Sequence, residues 1–267
     1  MKLSFYKYHG TGNDFILADN RNGQFIPEKR IIAGLCDRRF GIGADGLITL
    51  NEAPGFDFGM RYFNSDGNES TMCGNGGRCI VAFADLLSLS HGNSRFLAAD
   101  GQHTGYVLSK DGDVYDVKIS MNDVPDYRRF KEDFILNTGS PHLVRFVQDV
   151  ENVDVVKEGR TARHLDDFKP EGINVNFVED KGGHIFVRSY ERGVEDETLS
   201  CGTGVTASSL AYAATREINE GIIPVITRGG LLNLHFKKKG AGFTDIWLEG
   251  PAVKVFQSTI ELKTILF

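Results

Sequence analysis

The chain has 267 residues, 41% of them hydrophobic and 25% charged, a composition typical of a globular protein long enough for two modest domains. Its formal net charge of −6 disfavours nucleic acid and anionic membrane surfaces as partners. No segment approaches the roughly 18 consecutive apolar residues that a membrane-spanning helix needs, and no signal-peptide core can form near the amino terminus, so we expect a cytoplasmic protein.

Apolar periodicity predicts many short strands and few helices. The predicted helices run from Pro27 to about Arg38, after Cys73, over about 153–168, and after Cys201. The predicted strands, in chain order, cover residues 56–63, 117–121, 173–178, 186–191, 232–236 and 252–262.

One sequence pattern occurs twice, and its two copies lie about half the chain length apart. The tetrapeptide Cys-Gly-x-Gly begins at Cys73 and again at Cys201, and each copy follows an apolar strand and an acidic loop. Residues 8–15 also align with residues 136–143. Self-similarity at this period indicates a duplicated domain. We therefore predict one half at 1–124, with the last strand, about 256–267, as a candidate to complete it, and a second half at 125–255.

The helices that follow the two cysteines lack the polar face of a surface helix. The segment Gly202–Thr215 carries no charge and consists mostly of small residues. A helix that is apolar or small on every side is buried all round. The sequence therefore predicts an α/β (α+β) protein of two pseudo-symmetric, barrel-like domains, each a curved, mostly antiparallel sheet around a central helix.

This location changes the chemistry of the two cysteines. A helix amino terminus carries partial positive charge and unpaired N–H groups, which favour a thiolate and can bind a carboxylate. Two thiols on opposite sides of one α-carbon could remove its hydrogen and return a proton to the other face, which inverts the centre. Cys36 and Cys79 lack this glycine context and read as structural thiols.

Metal binding and a disulfide framework are not predicted. Four cysteines are too few for such a framework in a chain of this length. The sequence has no C-x-x-C motif and no His pair at i, i+4, so we expect no metal site.

Short polar and glycine-containing motifs are spread over nearly the whole chain: His9–Phe15, Gly41–Gly46, Asn64–Gly67, Cys73–Cys79, Gly139–His142, Asn174–Asn176, Glu191–Gly193 and Cys201–Gly204. Together they resemble the motifs of the diaminopimelate epimerase family, whose members are pyridoxal-phosphate-independent amino-acid epimerases of lysine and cell-wall biosynthesis. The resemblance implies conversion of LL-2,6-diaminopimelate to its meso isomer without a cofactor or metal.

The same resemblance implies a role for each matched residue. Cys73 and Cys201 would be the general base and acid, and their roles would exchange with the configuration of the substrate. His142 and Glu191 would tune the protonation of the cysteines. The implied substrate contacts are Gly74, Asn75, Gly202 and Thr203 to the reacting carboxylate, and Asn13, Asn64, Asn174, Arg192 and Glu191 to the distal amino-acid end.

Two alternatives remain. A proline or hydroxyproline racemase-type epimerase also uses two cysteines, although Asn75 and the Glu191-Arg192 pair argue against it, because that group usually has His two residues after the first cysteine. The second alternative is a non-catalytic cleft-binding protein in which the two cysteines form a redox-sensitive disulfide. The expected partner is a small molecule, and the sequence leaves a homodimer open.

Overall fold

The computed structural model describes residues 2–264, and the chain divides into two compact units. The first unit contains the chain up to Ile119 together with the part from Pro251 onward, and the second unit is Ser120–Gly250. The strand predicted over about 256–267 continues to Glu261 and is followed by a short 3₁₀ turn, and residues 265–267 lie outside the described residues.

The first unit begins with a hairpin and contains two helices. Its elements are β1 (Lys2–Gly10), β2 (Asn13–Asp19), α1 (Lys29–Cys36), β3 (Gly46–Asn51), β4 (Phe58–Asn64), β5 (Glu69–Ser70), α2 (Gly74–Leu86), β6 (Asn93–Ala98), β7 (Gly101–Asp111) and β8 (Val114–Ser120).

The second unit follows the same order of elements. These are β9 (Arg128–Phe130), β10 (Asp133–Asn137), β11 (Pro141–Phe146), α3 (Val155–Arg163), β12 (Asn174–Asp180), β13 (Ile185–Glu191), β14 (Asp196–Thr198), α4 (Gly202–Thr215), β15 (Glu220–Thr227), β16 (Gly230–Lys239) and β17 (Gly242–Glu261).

The sheet of the first unit closes on itself. Within residues 2–264, the ring runs β17, β1, β2, β3, β4, β6, β7, β8 and back to the second half of β17. The pairs β2–β3 and β4–β6 are parallel, whereas β1–β2, β3–β4, β6–β7, β7–β8 and β1–β17 are antiparallel. A closed ring leaves no strand edge unpaired.

The second unit repeats this topology pair by pair. Strands β11–β12 and β13–β15 are parallel, and β10–β11, β12–β13, β15–β16 and β16–β17 are antiparallel. A bridge between Val124 and Phe243 joins the start of this unit to β17. The prediction of two pseudo-symmetric, barrel-like domains with mostly antiparallel sheets is confirmed.

Each sheet surrounds one central helix. Every residue of α2 from Gly74 to Ala84 is buried, and in α4 all residues but Thr203, Ala214 and Thr215 are buried. Helix α2 contacts β1, β2, β3 and β7, and α4 contacts β10 through β13, β15 and β16. The predicted burial of both helices is confirmed, and of the residues that precede them Cys73 is half-buried and Cys201 is buried.

Two predicted elements differ most from the structure in their bounds. The helix expected over 153–168 ends at Arg163, because Leu165 takes an extended conformation (φ −56°, ψ 145°) before a separate 3₁₀ turn at Asp166–Phe168. The strand predicted over 252–262 begins ten residues earlier, at Gly242, because its first part pairs with β16 and its second part with β1. No helix within residues 2–264 has the length and apolar character to cross a membrane.

Candidate active site

Cys73 and Cys201 occupy the same position in the two units, immediately before α2 and α4. Both have extended backbones, with φ −103° and ψ 131° at Cys73 and φ −112° and ψ 110° at Cys201. The carbonyl of each cysteine accepts the first helical hydrogen bond, from Gly77 N–H at 2.7 Å and Val205 N–H at 2.8 Å. The N–H groups of the first turn therefore lack helical partners and are available to an anion.

The sulfur of Cys73 faces an amide oxygen. Its Sγ lies 3.7 Å from Asn13 Oδ1, and Asn75 Nδ2 donates to the same oxygen at 3.2 Å. Asn13 Nδ2 donates to Asp45 Oδ2 at 2.7 Å. Because a carboxylate only accepts hydrogen bonds, Asp45 holds the nitrogen of Asn13 away from Cys73 and its oxygen towards the sulfur. The structure thus brings together Cys73, Asn13 and Asn75, three of the residues to which the resemblance assigns a role.

Asn64 stands apart from this cluster. It is exposed at the end of β4, where its backbone N–H donates to Asn68 and its carbonyl accepts from Gly67 N–H, both at 2.9 Å. Its side chain makes no hydrogen bond with the residues described here. The amide is therefore available to a ligand, but no protein contact fixes its orientation.

Cys201 lies beside a hydroxyl. Thr203 Oγ1 is 3.5 Å from Cys201 Sγ and 3.0 Å from His142 Nε2, and Ser140 Oγ is 3.1 Å from the same ring nitrogen. Thr138 Oγ1 donates to the carbonyl of Thr203 at 2.9 Å and so ties the start of α4 to the loop after β10. The structure therefore links Cys201, Thr203 and His142.

The hydrogen bonds of Asn176 determine which nitrogen of His142 carries hydrogen. Asn176 Nδ2 donates to the carbonyl of Leu143 at 3.2 Å, and Asn176 Oδ1 accepts from Ser189 Oγ at 2.8 Å. The second hydrogen of the same nitrogen points to His142 Nδ1 at 3.1 Å, so that ring nitrogen is the acceptor. In the neutral ring, Nε2 then carries the hydrogen and donates towards Thr203 and Ser140.

The imidazole of His142 is neutral near pH 7. Burial, and then the positive charge of Arg192, lower the pKa of His142 to about 3. Since His142 donates to Thr203 Oγ1, the hydroxyl hydrogen of Thr203 is left to point at the sulfur of Cys201. A hydrogen bond donated to sulfur favours the thiolate over the thiol.

Asn174, Glu191 and Arg192 are also close together in the second unit. Asn174 Nδ2 donates to Ser140 Oγ at 2.8 Å and to the carbonyl of Pro141 at 3.1 Å, and its Oδ1 accepts from Arg192 N–H at 2.8 Å. The amide of Asn174 is thus engaged within the protein and positions its neighbours. The guanidinium of Arg192 has no hydrogen bond or ion pair with a described residue, whereas Glu191 Oε1 accepts a hydrogen bond from Thr198 Oγ1.

Sequence reasoning missed several of these contacts. Asn176 could have been found, because it lies two residues after Asn174 in a predicted strand and therefore on the same face. Ser140 belongs to the Gly139–His142 motif, but the resemblance assigned it no role, and Thr198 carries no sequence signal that separates it from an ordinary strand hydroxyl. Thr198 meets Glu191 through the pairing of β13 with β14, and Ser140 meets Asn174 next to the pairing of β11 with β12.

The remaining cysteines are inert by comparison. Burial raises the pKa of Cys36 to about 12 and also raises that of Cys79 far above its ordinary value, so both remain thiols. Within residues 2–264, no group of three or more His, Cys, Asp and Glu side chains is arranged to hold a metal ion.

The fold class is that of two-barrel proteins represented among solved structures. A phenazine biosynthesis protein of the PhzF family from Bacillus anthracis aligns with a TM-score of 0.79 at 14% identity, covering 98% of this chain and 99% of that one. A probable proline racemase from Agrobacterium radiobacter K84 aligns with a TM-score of 0.71 at 13% identity, covering 97% and 93%. At such low identity these likenesses show the fold alone.

The sequence comparisons are more specific, and the chain belongs to the diaminopimelate epimerase family. The profile of that family, diaminopimelate epimerase, matches residues 5–114 and 134–255. A diaminopimelate epimerase from Flavobacterium psychrophilum is 47% identical over 97% of this chain and 100% of its own length. One from Chlorobaculum tepidum is 38% identical over 95% and 99%. The family resemblance drawn from the motifs is confirmed.

Proposed function

We propose that this protein is an isomerase that converts LL-2,6-diaminopimelate to the meso isomer by moving a proton between two cysteines. The observation that carries the proposal is the duplicated position of Cys73 and Cys201, each at the start of a buried helix with a different hydrogen-bonding partner at its sulfur. Membership of the diaminopimelate epimerase family supports the choice of substrate.

In the proposed mechanism, one cysteine starts as a thiolate and the other as a thiol. The thiolate takes the α-hydrogen as a proton, and the electron pair is delocalised into the carboxylate. The thiol then donates its proton to the opposite face of the carbon, so the centre is inverted and the two sulfurs have exchanged protonation states. The next turnover in the same direction requires proton exchange with solvent.

The carbanion needs stabilisation, because an amino-acid α-hydrogen is weakly acidic. Backbone N–H groups at Gly74, Asn75, Gly202 and Thr203, together with the positive ends of α2 and α4, would bind the carboxylate as its negative charge grows. Exclusion of water strengthens these fixed dipoles. We assign no cofactor or metal to this chemistry.

Four polar side chains would recognise the distal amino-acid end. The planar guanidinium of Arg192 can bind a carboxylate through two parallel hydrogen bonds, and the amide of Asn64 can add a further contact. Asn13 presents its oxygen and Glu191 its carboxylate to an ammonium group. Asn174 would act indirectly, since it holds the backbone of Arg192.

The proposed setting is the biosynthesis of lysine and peptidoglycan precursors in the cytoplasm. The proposed partner is a small molecule, with no role for nucleic acid or membrane, and a homodimer remains compatible with the proposal. The net charge of −6 supports this choice of partner.

The test follows LL-diaminopimelate in heavy water by mass spectrometry, with reduced protein and no added pyridoxal phosphate. We expect deuterium to enter at the α-carbon together with conversion to the meso isomer. Cys73→Ser and Cys201→Ser should each lower turnover by several orders of magnitude and change the free energy of unfolding by only about 1–2 kcal/mol, because the change in size is small. Cys36→Ser is the matched control and should keep normal turnover.

Near-normal turnover in either catalytic variant would contradict the two-thiol assignment. Uptake from proline or hydroxyproline, but none from diaminopimelate, would keep the mechanism and replace the substrate. Absence of exchange with all three substrates would favour a non-catalytic binding protein.

A further inference from the structure

Arg78 is a buried cation close to Cys73, and the mechanism proposed above gives Arg78 no role. It lies on α2 five residues after Cys73, and its exposed fraction is 0%. Its Nη2 donates to Asn75 Oδ1 at 3.0 Å and to Thr11 Oγ1 at 3.4 Å. The other bonds are to backbone carbonyls, from Nη1 to Gly74 at 3.2 Å and from Nε to Pro251 at 3.3 Å.

All four acceptors of Arg78 are neutral. Among residues 2–264 no carboxylate forms an ion pair with it, although a buried charge without a partner costs several kcal/mol. Burial lowers the pKa of Arg78 to about 10, so the guanidinium still carries its charge near pH 7. The side chain is therefore a permanent, uncompensated positive charge inside the first unit.

The groups able to offset this charge are few. They are Cys79, Cys73 and, more weakly, Asp116. Burial raises the pKa of Cys79 so far that it remains a neutral thiol. Strands β1, β2 and β7, which pack against α2, carry further titratable groups. Among them, burial keeps Tyr8 neutral and lowers the pKa of His9, Asp14 is paired with Lys7 and Arg38, and His103 lies beside Asp100.

The duplication provides an internal comparison. The residue five positions after Cys201 is Thr206, whose Oγ1 donates to the carbonyl of Gly202 at 2.9 Å. Gly202 corresponds to Gly74, whose carbonyl accepts from Arg78. A neutral hydroxyl thus satisfies the same carbonyl in the second unit, so this structural task does not require a charge.

Arg78 also orients the amides next to Cys73. A guanidinium only donates hydrogen bonds, so it holds the oxygen of Asn75 and turns the nitrogen of that amide towards Asn13. Asn13 then presents its oxygen to the sulfur, and that contact favours the thiol. Such a neutral hydrogen bond contributes only about 1 kcal/mol, whereas an opposite charge within about 4–6 Å shifts a pKa by about 1–3 units. We expect the charge of Arg78 to outweigh the amide oxygen of Asn13 at the sulfur.

We propose that Arg78 is a positioning residue for Cys73, which fixes the Asn75 amide and supplies the positive charge that makes the Cys73 thiolate accessible. The inference rests on the proposed role of Cys73 in proton transfer. Cys201 has Thr203 and a neutral helix instead, so the two thiols reach their thiolate states by different means.

The test measures the pH dependence of alkylation of each cysteine by iodoacetamide, with peptide mass spectrometry to separate Cys73 from Cys201. The variants are Arg78→Gln and Arg78→Lys, which both lose the planar fork but differ in charge. In Arg78→Gln we expect the midpoint for Cys73 to rise by about one pH unit or more, equivalent to about tenfold slower alkylation near pH 7. In Arg78→Lys it should stay close to that of the unmodified protein.

The midpoint for Cys201 serves as the internal control and should move by less than the midpoint for Cys73 in both variants. Equal profiles for Cys73 in the two variants, or equal shifts of both cysteines, would show a purely structural role and overturn the proposal. If Arg78→Gln does not fold, the unmodified protein still provides a test. In that protein, a Cys73 midpoint at or above the ordinary thiol value of about 8.5 would overturn the proposal.

No substrate is needed for this measurement, so its outcome is separate from that of the heavy-water experiment. A protein that fails to exchange diaminopimelate but shows the charge-dependent shift would retain the role of Arg78 and lose the proposed function. A protein that exchanges diaminopimelate but shows no charge-dependent shift of Cys73 would retain the proposed function and lose the role of Arg78.

Discussion

The two cysteines have equivalent backbone positions but different partners at the level of single residues. Cys73 faces the oxygen of Asn13, which can accept the thiol hydrogen, and Cys201 faces the hydroxyl of Thr203, which can donate to a thiolate. In the proposed mechanism each sulfur must act as acid and as base, because the reaction runs in both directions. The different partners at two otherwise equivalent helix termini are consistent with that requirement.

The hydroxyl of Thr203 can be tested with substitutions of nearly equal size. Thr203→Val removes the group between His142 and Cys201, and we expect turnover to fall about 10- to 100-fold, because a hydrogen bond to a charged group contributes about 1.5–3 kcal/mol. Thr203→Ser keeps the hydroxyl and should retain most of the activity. Steady-state epimerisation measures both, and equal losses would contradict the hydroxyl's role.

The buried, neutral state of His142 makes stability depend on pH. Its folded pKa of about 3 lies below the ordinary value of 6.5, so the unfolded chain binds this proton first as the pH falls. The stability from neutral His142 is complete above about pH 6.5 and is lost towards pH 3, at up to about 1.4 kcal/mol per pH unit. Urea titrations at a series of pH values give the free energy of unfolding as a function of pH. Between pH 3 and pH 6.5 this free energy should change less with pH in His142→Gln than in the unmodified protein. An unchanged pH dependence would contradict this account.

The sequence singled out the proposed chemical pair but not its surroundings. Cys73 and Cys201 could be located because each motif combines a thiol, two glycines and a buried helix. The roles of Ser140, Thr198 and Arg78 could not, because which hydrogen bonds these side chains make depends on the folded backbone and not on a residue pattern. Among these surrounding residues, period-two spacing could identify only Asn176, because it shares a strand face with Asn174.

At the level of elements, duplication explains why much of the fold was predictable. The strand, loop, cysteine and helix recur in one order, so α2 and α4 and the strands before them could be found from either copy. Helix α3 was predicted too long, because apolar spacing continues through Leu165 and Phe168 although the backbone turns between them. These two side chains pack in the core from a separate turn.

Gly76 and Gly204 hold the same place in α2 and α4 but have different neighbours. A Cβ at Gly204 would lie 2.4 Å from Asn176 Oδ1, and one at Gly76 would meet the movable end of Ile48 at 2.9 Å. We expect Gly204→Ala to lower the free energy of unfolding by about 2 kcal/mol, through overpacking, and to slow epimerisation by disturbing His142. Gly76→Ala should change stability by less than about 1 kcal/mol, since the better helix propensity of Ala offsets the shift of Ile48.

Chemical denaturation and turnover of the two glycine variants decide this prediction. Equal effects of the two substitutions would show that the contact with Asn176 is unimportant. A loss of stability without a loss of turnover in Gly204→Ala would separate packing from the hydrogen bonds of His142.

At the level of the whole molecule, β17 serves both units. Its first part pairs with β16, and its second part pairs with β1 from Lys2↔Glu261 to His9↔Val253. A sequence window cannot show this double pairing, because the strand pattern is continuous through the point where the partner changes. The prediction that began the strand at 252 therefore found only the part that belongs to the first unit.

Truncation tests the dependence of the first unit on β17. In a chain that ends at Gly250, β1 and β8 lose their shared neighbour and expose strand edges. We expect hydrogen exchange to show loss of protection in the first unit, while β12 and β13 remain protected. A control chain that ends at Lys263 keeps β17 and should behave like the complete chain. Full protection of β1 in the shorter chain would contradict the assigned pairing.

The pairing of β1 with β17 also has a consequence for synthesis on the ribosome. Strand β1 leaves the exit tunnel long before its partner and cannot acquire this neighbour until residues 253–261 have been translated. The second unit contains all its strands once Gly250 has emerged, whereas the first waits for the residues that follow. We therefore expect the half of the protein that is made first to be the half that folds last.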